Sequence, residues 1–198
     1  VIAAGDTPAG KAEGIVATEV GQGVSVTLRS SDPFARWEQA SVIRGAGKGT
    51  VSAVAYAALG DITASQFQSL ADIQRELGAD VRLSNRQNVV FRGLQEEQLR
   101  TLFDRLEAIG MARPGAELAR DVVACPGADT CNIAVTQSRG LAKAIGERLE
   151  EEGLAEVGGV RINISGCTNS CGQHHASDIG LFGAERRAHG RSLPGYQL

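Results

Sequence analysis

Residues 160–175, VRINISGCTNSCGQHH, combine an alternating apolar segment with two cysteines and two histidines. The alternation over 160–165 predicts a β-strand that ends directly before the first of these cysteines. The same arrangement occurs at residues 121–131, DVVACPGADTC, where a short apolar strand is followed by two more cysteines. These two segments, each a strand that ends in a cysteine pair, decide how the second half of the chain folds.

The segment between the two pairs predicts a helix near residues 134–149, because Leu141, Ile145 and Leu149 recur at helical spacing. A strand, a helix and a second strand form a crossover that makes the two strands parallel, so both cysteine pairs leave the sheet at one edge. We therefore expect four thiolates to converge there, those of Cys125, Cys131, Cys167 and Cys171.

Three kinds of bond or site are open to these cysteines, whose spacing is C-x5-C and C-x3-C. Disulfides are disfavoured in a chain that we expect in the cytoplasm, and structural zinc sites usually have the tighter C-x2-C spacing. An iron-sulfur cluster is larger, suits longer loops and is usually held by four cysteines. Gly127, Gly166 and Gly172 would let backbone N–H groups approach sulfur, and a helix starting after Cys131 would favour an anionic cluster. The chemistry favours iron-sulfur, with the other two as alternatives.

The first half of the chain predicts alternating strands and helices. Thr63 and Gln66 are spaced as a capping box, so a helix should begin there and end at Gly78. A second apolar stripe predicts a helix that ends at Gly110, and the Pro114-Gly115 step marks a boundary. Strands are predicted at residues 24–28, 50–58, 81–84 and 88–92, and a strand pair near 177–182 and 193–198.

Composition excludes some classes of protein. The formal net charge of -3 and pI near 5.7 argue against a nucleic-acid binder or a protein of anionic membrane surfaces. No run approaches the ~20 apolar residues of a membrane span, and no signal peptide is visible, so we expect a soluble cytoplasmic protein. The chain begins at Val1 and its one methionine is Met111, so we expect a fragment, a processed product or a trimmed chain.

Residues 122–147 and 160–183 resemble the cluster-binding region of the sirohaem-dependent sulfite and nitrite reductases. Trp37, GDITASQFQSLADI at 60–73 and VRLSNRQNVVFRGL at 81–94 resemble the ferredoxin-like half-domain that precedes it in the family's second repeat. The resemblance implies an α+β fold, with a ferredoxin-like half-domain followed by a mixed α/β domain that binds sirohaem and a 4Fe-4S cluster. The expected division is an N-terminal segment of unassigned role, the half-domain and the cofactor domain, at residues 1–33, 34–114 and 115–198.

The resemblance also implies roles for individual residues. Four cysteines would ligate the 4Fe-4S cluster, and Cys171 would also bridge the cluster to the sirohaem iron as its axial ligand. Asn169 would orient the second cysteine loop or touch the macrocycle, unless it only caps a turn. Sirohaem carries carboxylates, so polar residues of the 81–94 segment are expected near it: Arg82, Arg86, Gln87 and Asn88, with Arg139, Arg161, Arg186 and Arg187 as weaker candidates.

The two adjacent histidines need a separate account. His174 and His175 could join a mixed Cys/His metal site, but four thiolates already complete the expected cluster. We expect them instead to hydrogen-bond a cluster sulfur, a sirohaem carboxylate or the backbone.

The resemblance implies a six-electron reduction of a small inorganic anion, sulfite to sulfide or nitrite to ammonium, with sulfite preferred. The electron donor would be ferredoxin or a flavoprotein subunit. Catalytic arginines and lysines are expected from the family's first repeat, which no stretch here matches, so this chain alone is expected to be inactive. The alternatives are a monooxygenase of cobalamin biosynthesis similar to precorrin-3B synthase, and a non-catalytic four-cysteine metal-binding module.

Overall fold

The two halves of the chain each build one four-stranded sheet in the computed structural model, which describes residues 28, 30–45 and 49–198. The expected α+β class is confirmed. Residues 24–27 of the strand predicted at 24–28, and nearly all of the segment 1–33, lie outside the described residues. Within the described residues, no helix has both the length and the apolar character needed to cross a bilayer.

The first sheet is antiparallel throughout, with strand order β1-β2-β4-β3. Three helices accompany it, and fully buried aromatic and aliphatic side chains fill its core, among them Trp37, Phe91, Leu94 and Leu102. Its elements are α1 (Pro33–Ser41), β1 (Val42–Arg44), β2 (Val51–Ala55), α2 (Ala64–Leu77), β3 (Asp80–Leu83), β4 (Val89–Leu94) and α3 (Leu99–Ala108).

Helix α2 begins and ends where the sequence predicts. The Gln66 N–H donates to Thr63 Oγ1 at 3.2 Å and the Thr63 N–H donates to Gln66 Oε1 at 2.9 Å, which confirms the capping box. Gly78 follows the helix with a φ of 64°, a conformation that glycine adopts without strain. Phe67 is 61% exposed although it shares the helical spacing, so the packed face of α2 is centred on Leu70 and Ile73.

The strands predicted at 81–84 and 88–92 are present as two paired strands, β3 and β4. Two other parts of this half differ from the sequence-based expectation. The strand expected over 50–58 is shorter, because β2 ends at Ala55 and a 3-10 turn follows at Ala58–Gly60. Helix α1 is a new element: Pro33 occupies its first turn and the Asp32 carboxylate accepts the Ala35 N–H.

The second sheet has the order β5-β6-β7-β8, in which β5, β6 and β7 are parallel and β8 is antiparallel to β7. The helix of the crossover packs on this sheet through Ala142, Leu141, Ile145 and Leu149. It begins at Ser138 instead of near residue 134. The elements are β5 (Val123–Ala124), α4 (Ser138–Glu151), β6 (Ile162–Ser165), β7 (Ile179–Ala188) and β8 (Arg191–Gln197).

Buried hydrogen bonds join the two sheets at the start of β5. Arg86 Nε donates to Asp121 Oδ2 at 2.8 Å, and Asn88 Nδ2 donates to the same oxygen at 3.0 Å. The Tyr56 hydroxyl donates to the carbonyl of Arg120 at 3.2 Å. The turn between β3 and β4 is therefore tied to the strand that carries the first cysteine pair.

Candidate metal centre

The two cysteine loops leave the sheet side by side. The first cysteine loop is residues 125–131 and the second cysteine loop is residues 166–171. Strands β5 and β6 are parallel, with Val123 beside Asn163 and Ala124 beside Ile164. Because both loops follow the carboxyl ends of these strands, they emerge at one edge, as the sequence predicts.

Glycines bring the backbones of the two loops into contact. A Cβ atom placed on Gly166 would lie 2.9 Å from the Gly127 Cα and 3.0 Å from the Ala134 Cβ. Gly127 has a φ of 62°, and a Cβ there would lie 2.4 Å from Ser138 Oγ. The close approach expected at Gly127 and Gly166 is therefore present. A side chain at Gly166 would push the loops apart, and one at Gly127 would push the first loop away from the start of α4.

Cys125 is the buried member of the four cysteines and has polar neighbours at its sulfur. The Gly166 N–H donates to Cys125 Sγ at 3.1 Å, which links the two loops directly. Ser138 Oγ lies 3.4 Å from the same sulfur while its hydroxyl donates to the Cys125 carbonyl at 2.7 Å. Ser138 is the first residue of α4, so the helix N-terminus lies at Cys125 rather than directly after Cys131. The helix dipole therefore favours an anionic group at this position.

The other cysteines become more accessible along the chain. Cys131 and Cys167 are half-buried and Cys171 is exposed. All four carry free thiols, so the disulfide alternative is unsupported. Among the described residues, no three His, Cys, Asp or Glu side chains group closely enough to bind a single metal ion, so the convergence of the four thiolates stays a prediction. Four free thiols on two touching loops, with an amide donor at one sulfur, fit a multi-iron cluster.

The two histidines lie in different surroundings. His174 is 5% exposed, its Nδ1 lies 2.9 Å from Ser165 Oγ, and its ring stacks on Phe182 with centroids 4.9 Å apart. Burial, followed by the neighbouring His175, lowers the pKa of His174, so its imidazole is neutral near pH 7. His175 is exposed and contacts His174 ring to ring at 4.0 Å.

The polar residues of the 81–94 segment are also separated by the fold. Arg82 is exposed and pairs with Asp80 at 2.5 Å. Arg86 and Asn88 are buried and bind Asp121 at the junction of the sheets. Their expected contact with sirohaem stays a prediction, because the structure shows these side chains engaged with protein groups.

Gln87 is the member of that segment that lies nearest the first cysteine loop. Its Nε2 donates at 2.9 Å to the carbonyl of Ala124, the residue before Cys125. Its Oε1 is buried and has no hydrogen-bond partner among the described residues. Asn169 is exposed in the second cysteine loop. Both remain candidates for contact with a macrocycle.

A polar cavity of about 140 Å³ lies beside β6, and Gln173, two residues beyond the second cysteine loop, lines it. Asn163 of β6 also lines it, is 6% exposed, and has an Oδ1 without a partner among the described residues. Arg86, Arg161 and Glu117 line it as well, and the Glu117 carboxylate lies 3.6 Å from Arg86 and 3.7 Å from Arg161. A buried polar atom without a partner beside these charged groups fits a polar ligand that carries both donors and acceptors.

Sequence reasoning did not find Ser138, Ser165 or Asn163. The local signal at Ser165 is its position between a buried strand and Gly166-Cys167. Ser138 offers no such signal, because its contact with Cys125 Sγ depends on where α4 docks.

Two family models match the chain. The description of the first is nitrite/sulfite reductase ferredoxin-like half domain, matching residues 44–109, and that of the second is nitrite and sulphite reductase 4Fe-4S domain, matching residues 115–197. The 4Fe-4S cluster and sirohaem expected from the sequence are the cofactors of this family. The exact boundaries at 33 and 114 remain predictions.

Curated relatives agree with the family models. The ferredoxin–nitrite reductase of Synechococcus elongatus is 36% identical over 141 residues, covering 71% of this chain and 27% of that protein. The sulfite reductase (ferredoxin) 2 of Mycolicibacterium paratuberculosis is 28% identical over 146 residues, covering 70% of this chain and 26% of that protein. The chain thus spans about a quarter of the length of these relatives.

Solved structures share the fold. The NirA protein of Mycobacterium tuberculosis superposes with a TM-score of 0.65 at 27% identity, over 80% of this chain and 30% of that one. Dissimilatory sulfite reductase I superposes with a TM-score of 0.58 at 18% identity, over 70% of this chain and 34% of that one, which shows the fold alone. With both of its sheets matched by models of one family, the chain belongs to the sirohaem-dependent nitrite and sulfite reductases.

Proposed function

We propose that this chain forms the cluster-bearing part of a reductase that adds six electrons to nitrite or sulfite. The observation that carries the proposal is the contact between the two cysteine loops, with the Gly166 N–H donating to Cys125 Sγ at 3.1 Å. The cluster would be held by Cys125, Cys131, Cys167 and Cys171, and Cys171 would also be the axial ligand of sirohaem.

The surroundings of each cysteine support this assignment. When bound, the cluster and the sirohaem supply one-electron transfer and an iron that binds the anion. The Gly166 N–H and the N-terminus of α4 stabilise negative charge on the buried sulfur of Cys125. Cys171 is exposed, so its sulfur is accessible to a second cofactor outside the loops.

The macrocycle would be bound by polar groups close to the cysteine loops. Gln87 and Asn163 each have a buried oxygen without a partner among the described residues, and Arg161 lines the adjoining cavity. Asn169 is exposed beside the cysteines, and Arg82 is exposed on β3. Arg86 and Asn88 would act indirectly, since their hydrogen bonds to Asp121 fix the start of β5.

Nitrite is the better supported of the two substrates. The sequence alone led to a preference for sulfite, but identity is 36% with a ferredoxin–nitrite reductase and 28% with a ferredoxin–sulfite reductase over similar lengths. The same relatives support ferredoxin as the electron donor, in preference to a flavoprotein subunit. The whole reductase would work in the cytoplasm, and this chain alone would be inactive because the remaining anion-binding side chains come from elsewhere in such a protein.

The test is to purify the full-length protein without oxygen and to measure iron, acid-labile sulfide, extractable sirohaem and the visible spectrum. We expect about four iron and four sulfide per chain in addition to the sirohaem iron. Reduced ferredoxin should support reduction of nitrite faster than that of sulfite. Cys171→Ser should lose cluster and sirohaem coupling, whereas Thr168→Ala in the same loop should keep both. Zinc as the bound metal, with no iron, would contradict the proposal.

A further inference from the structure

The hydroxyl of Ser165 connects the two ends of the second cysteine loop. Ser165 lies immediately before Gly166 and Cys167, while Gly172 immediately follows Cys171. The Gly172 N–H donates to Ser165 Oγ at 3.1 Å, and His174 Nδ1 lies 2.9 Å from the same oxygen. This set of contacts, here called the Ser165 clasp, closes the loop that contains two of the proposed ligands.

The side chain of His174 is fixed from several sides. Its ring stacks on Phe182 of β7 at an interplanar angle of 22°, and its carbonyl accepts the Ser177 hydroxyl at 2.8 Å. A Cβ on Gly180 would lie 2.1 Å from the His174 carbonyl oxygen, so β7 approaches this backbone as closely as it can. The position of Nδ1 is therefore held by contacts with β7 in addition to the chain connection to the loop.

The Ser165 hydroxyl can bind both partners of the clasp at once. Its oxygen accepts the Gly172 N–H and pairs with His174 Nδ1, either by donating its hydrogen to Nδ1 or by accepting a hydrogen from it. Burial, which lowers the pKa of His174, favours the neutral imidazole, which can take either role. His174 Nε2 is buried and has no hydrogen-bond partner among the described residues, so Nδ1 makes the hydrogen bond of this ring. In both arrangements the contact with Nδ1 orients the oxygen that accepts the Gly172 N–H.

We propose that His174 is a positioning residue that acts through Ser165: it fixes the conformation of the Cys167–Cys171 loop and thereby sets the reduction potential of the cluster. The second half of this statement rests on the proposed function, since it requires a cluster. The first half concerns only the protein and applies with or without iron. Hydrogen-bonded polar groups behind ligands orient them and tune the metal, which is the effect expected here.

The experiment uses the full-length protein and three variants. His174→Phe keeps a ring that can stack on Phe182 and removes the hydrogen bond. His174→Asn loses the stack but places a polar atom near the position of Nδ1. His175→Phe is the matched control: His175 is exposed, no described hydrogen bond joins it to Ser165, and a phenyl ring can keep its ring contact with His174. Amide hydrogen exchange at Gly172 and the midpoint potential of the cluster are measured for each.

We expect the Gly172 amide of His174→Phe to exchange roughly tenfold faster, the size of one lost hydrogen bond, with a shifted midpoint potential. His174→Asn should return both readouts towards wild type, and His175→Phe should match wild type. Ser165→Ala removes one oxygen without adding volume and should reproduce the His174→Phe result, which covers the case of a His174 variant that fails to fold.

Three results would overturn the inference. One is unchanged Gly172 exchange in both His174→Phe and Ser165→Ala. A second is a change in His174→Asn as large as that in His174→Phe or larger, since the stacked ring would then matter at least as much as the hydrogen bond. A third is faster Gly172 exchange with an unchanged cluster potential, which would end the claim about tuning. Wild-type protein without iron would contradict the proposed function instead, and Gly172 exchange would still decide whether the clasp exists.

Discussion

Asp121 is the residue on which the junction between the two sheets depends. Its side chain is 3% exposed, and burial raises the pKa of its carboxyl group. Arg86, followed by hydrogen bonds from Asn88 and the Glu117 N–H, acts in the opposite direction. The buried carboxylate is tolerated because these donors surround it. Removing Arg86, which is the cationic donor among them, leaves the negative charge of Asp121 uncompensated.

Arg86→Ala should therefore be strongly destabilising. We expect a loss of about 3–5 kcal/mol in the free energy of unfolding at pH 7, the usual effect of breaking a buried ion pair. Arg82→Ala is the control, because Arg82 and its partner Asp80 are exposed, and exposed pairs contribute about 0–1 kcal/mol. Urea unfolding of the two variants measures the difference.

The loss in Arg86→Ala should also depend on pH. A carboxyl group whose folded pKa is raised holds its proton more firmly in the folded state, so its contribution to stability is largest at low pH and declines as pH rises through that pKa. Without Arg86 the folded pKa of Asp121 rises further. The loss of unfolding free energy in Arg86→Ala should consequently become smaller as pH is lowered from 7 towards the ordinary carboxyl pKa. A loss that stays constant over this pH range would contradict this account.

At the scale of elements, the cysteine site depends on how closely the two loops can approach. A Cβ at Gly166 would come within 3.0 Å of Thr136 O as well as of the Gly127 backbone, and these are backbone atoms that cannot rotate away. Strands β5 and β6 place the loops side by side, but the absence of a side chain at this glycine is what lets them touch.

Gly166→Ala should reduce the iron bound per chain to a small fraction of the wild-type value, because the loops cannot meet. Gly146→Ala is the matched control: no atom outside α4 lies within 4 Å of its Cβ position, so it should keep the iron and gain about 0.5–1 kcal/mol of helix stability. Iron and acid-labile sulfide analysis, with circular dichroism as a check on folding, tests both. Wild-type iron content in Gly166→Ala would show that the loop contact is dispensable.

Local patterns predicted the elements that have local causes. The capping box at Thr63 and Gln66 and the stop at Gly78 follow from a few neighbouring residues. The parallel placement of the cysteine strands follows from the order strand, helix, strand along the chain. The start of α4 was predicted four residues too early, because residues 134–137 bind the second loop instead: the N–H groups of Val135 and Thr136 donate to the Gly166 carbonyl at 2.9 and 3.2 Å. That contact is long-range and leaves no periodic signal.

The same limit applies to the candidate site. The cysteines were recognisable from spacing, and the resemblance gave their roles. The contacts of Arg86 and Asn88 with Asp121 and that of Ser138 with Cys125 cross 13 to 35 residues of sequence, and only the folded chain brings them together.

For the whole molecule, the two sheets share buried polar contacts in addition to apolar surface. Tyr56 donates to the Arg120 carbonyl and Gln87 to the Ala124 carbonyl, while Arg139 of α4 pairs with Asp61. Burial raises the pKa of Tyr56, which keeps its hydroxyl protonated as the donor. These bonds tie the first sheet to β5 and α4, so the sheets should not open independently.

Native-state hydrogen exchange can test this coupling. In wild type, the slowest amides of β4 and of β6 should exchange with the same free energy of opening, because both require global unfolding. In Arg86→Ala the amides of β6 should exchange with a lower free energy than those of β4, since the second sheet then opens by itself. Arg82→Ala should leave the two values equal. Unequal values in wild type would show that the sheets are independent units.

The four cysteines differ in exposure, so they should also differ in how readily they are oxidised. An exposed thiol is oxidised before a buried one, which is protected from the oxidant. Cys171 is exposed and Cys125 is buried, so damage by oxygen would begin at the proposed shared ligand and reach the Gly166–Cys125 bond last. Exposure would thus let the sulfur of Cys171 bind two cofactors. The same exposure would make Cys171 the first site at which oxygen inactivates the protein.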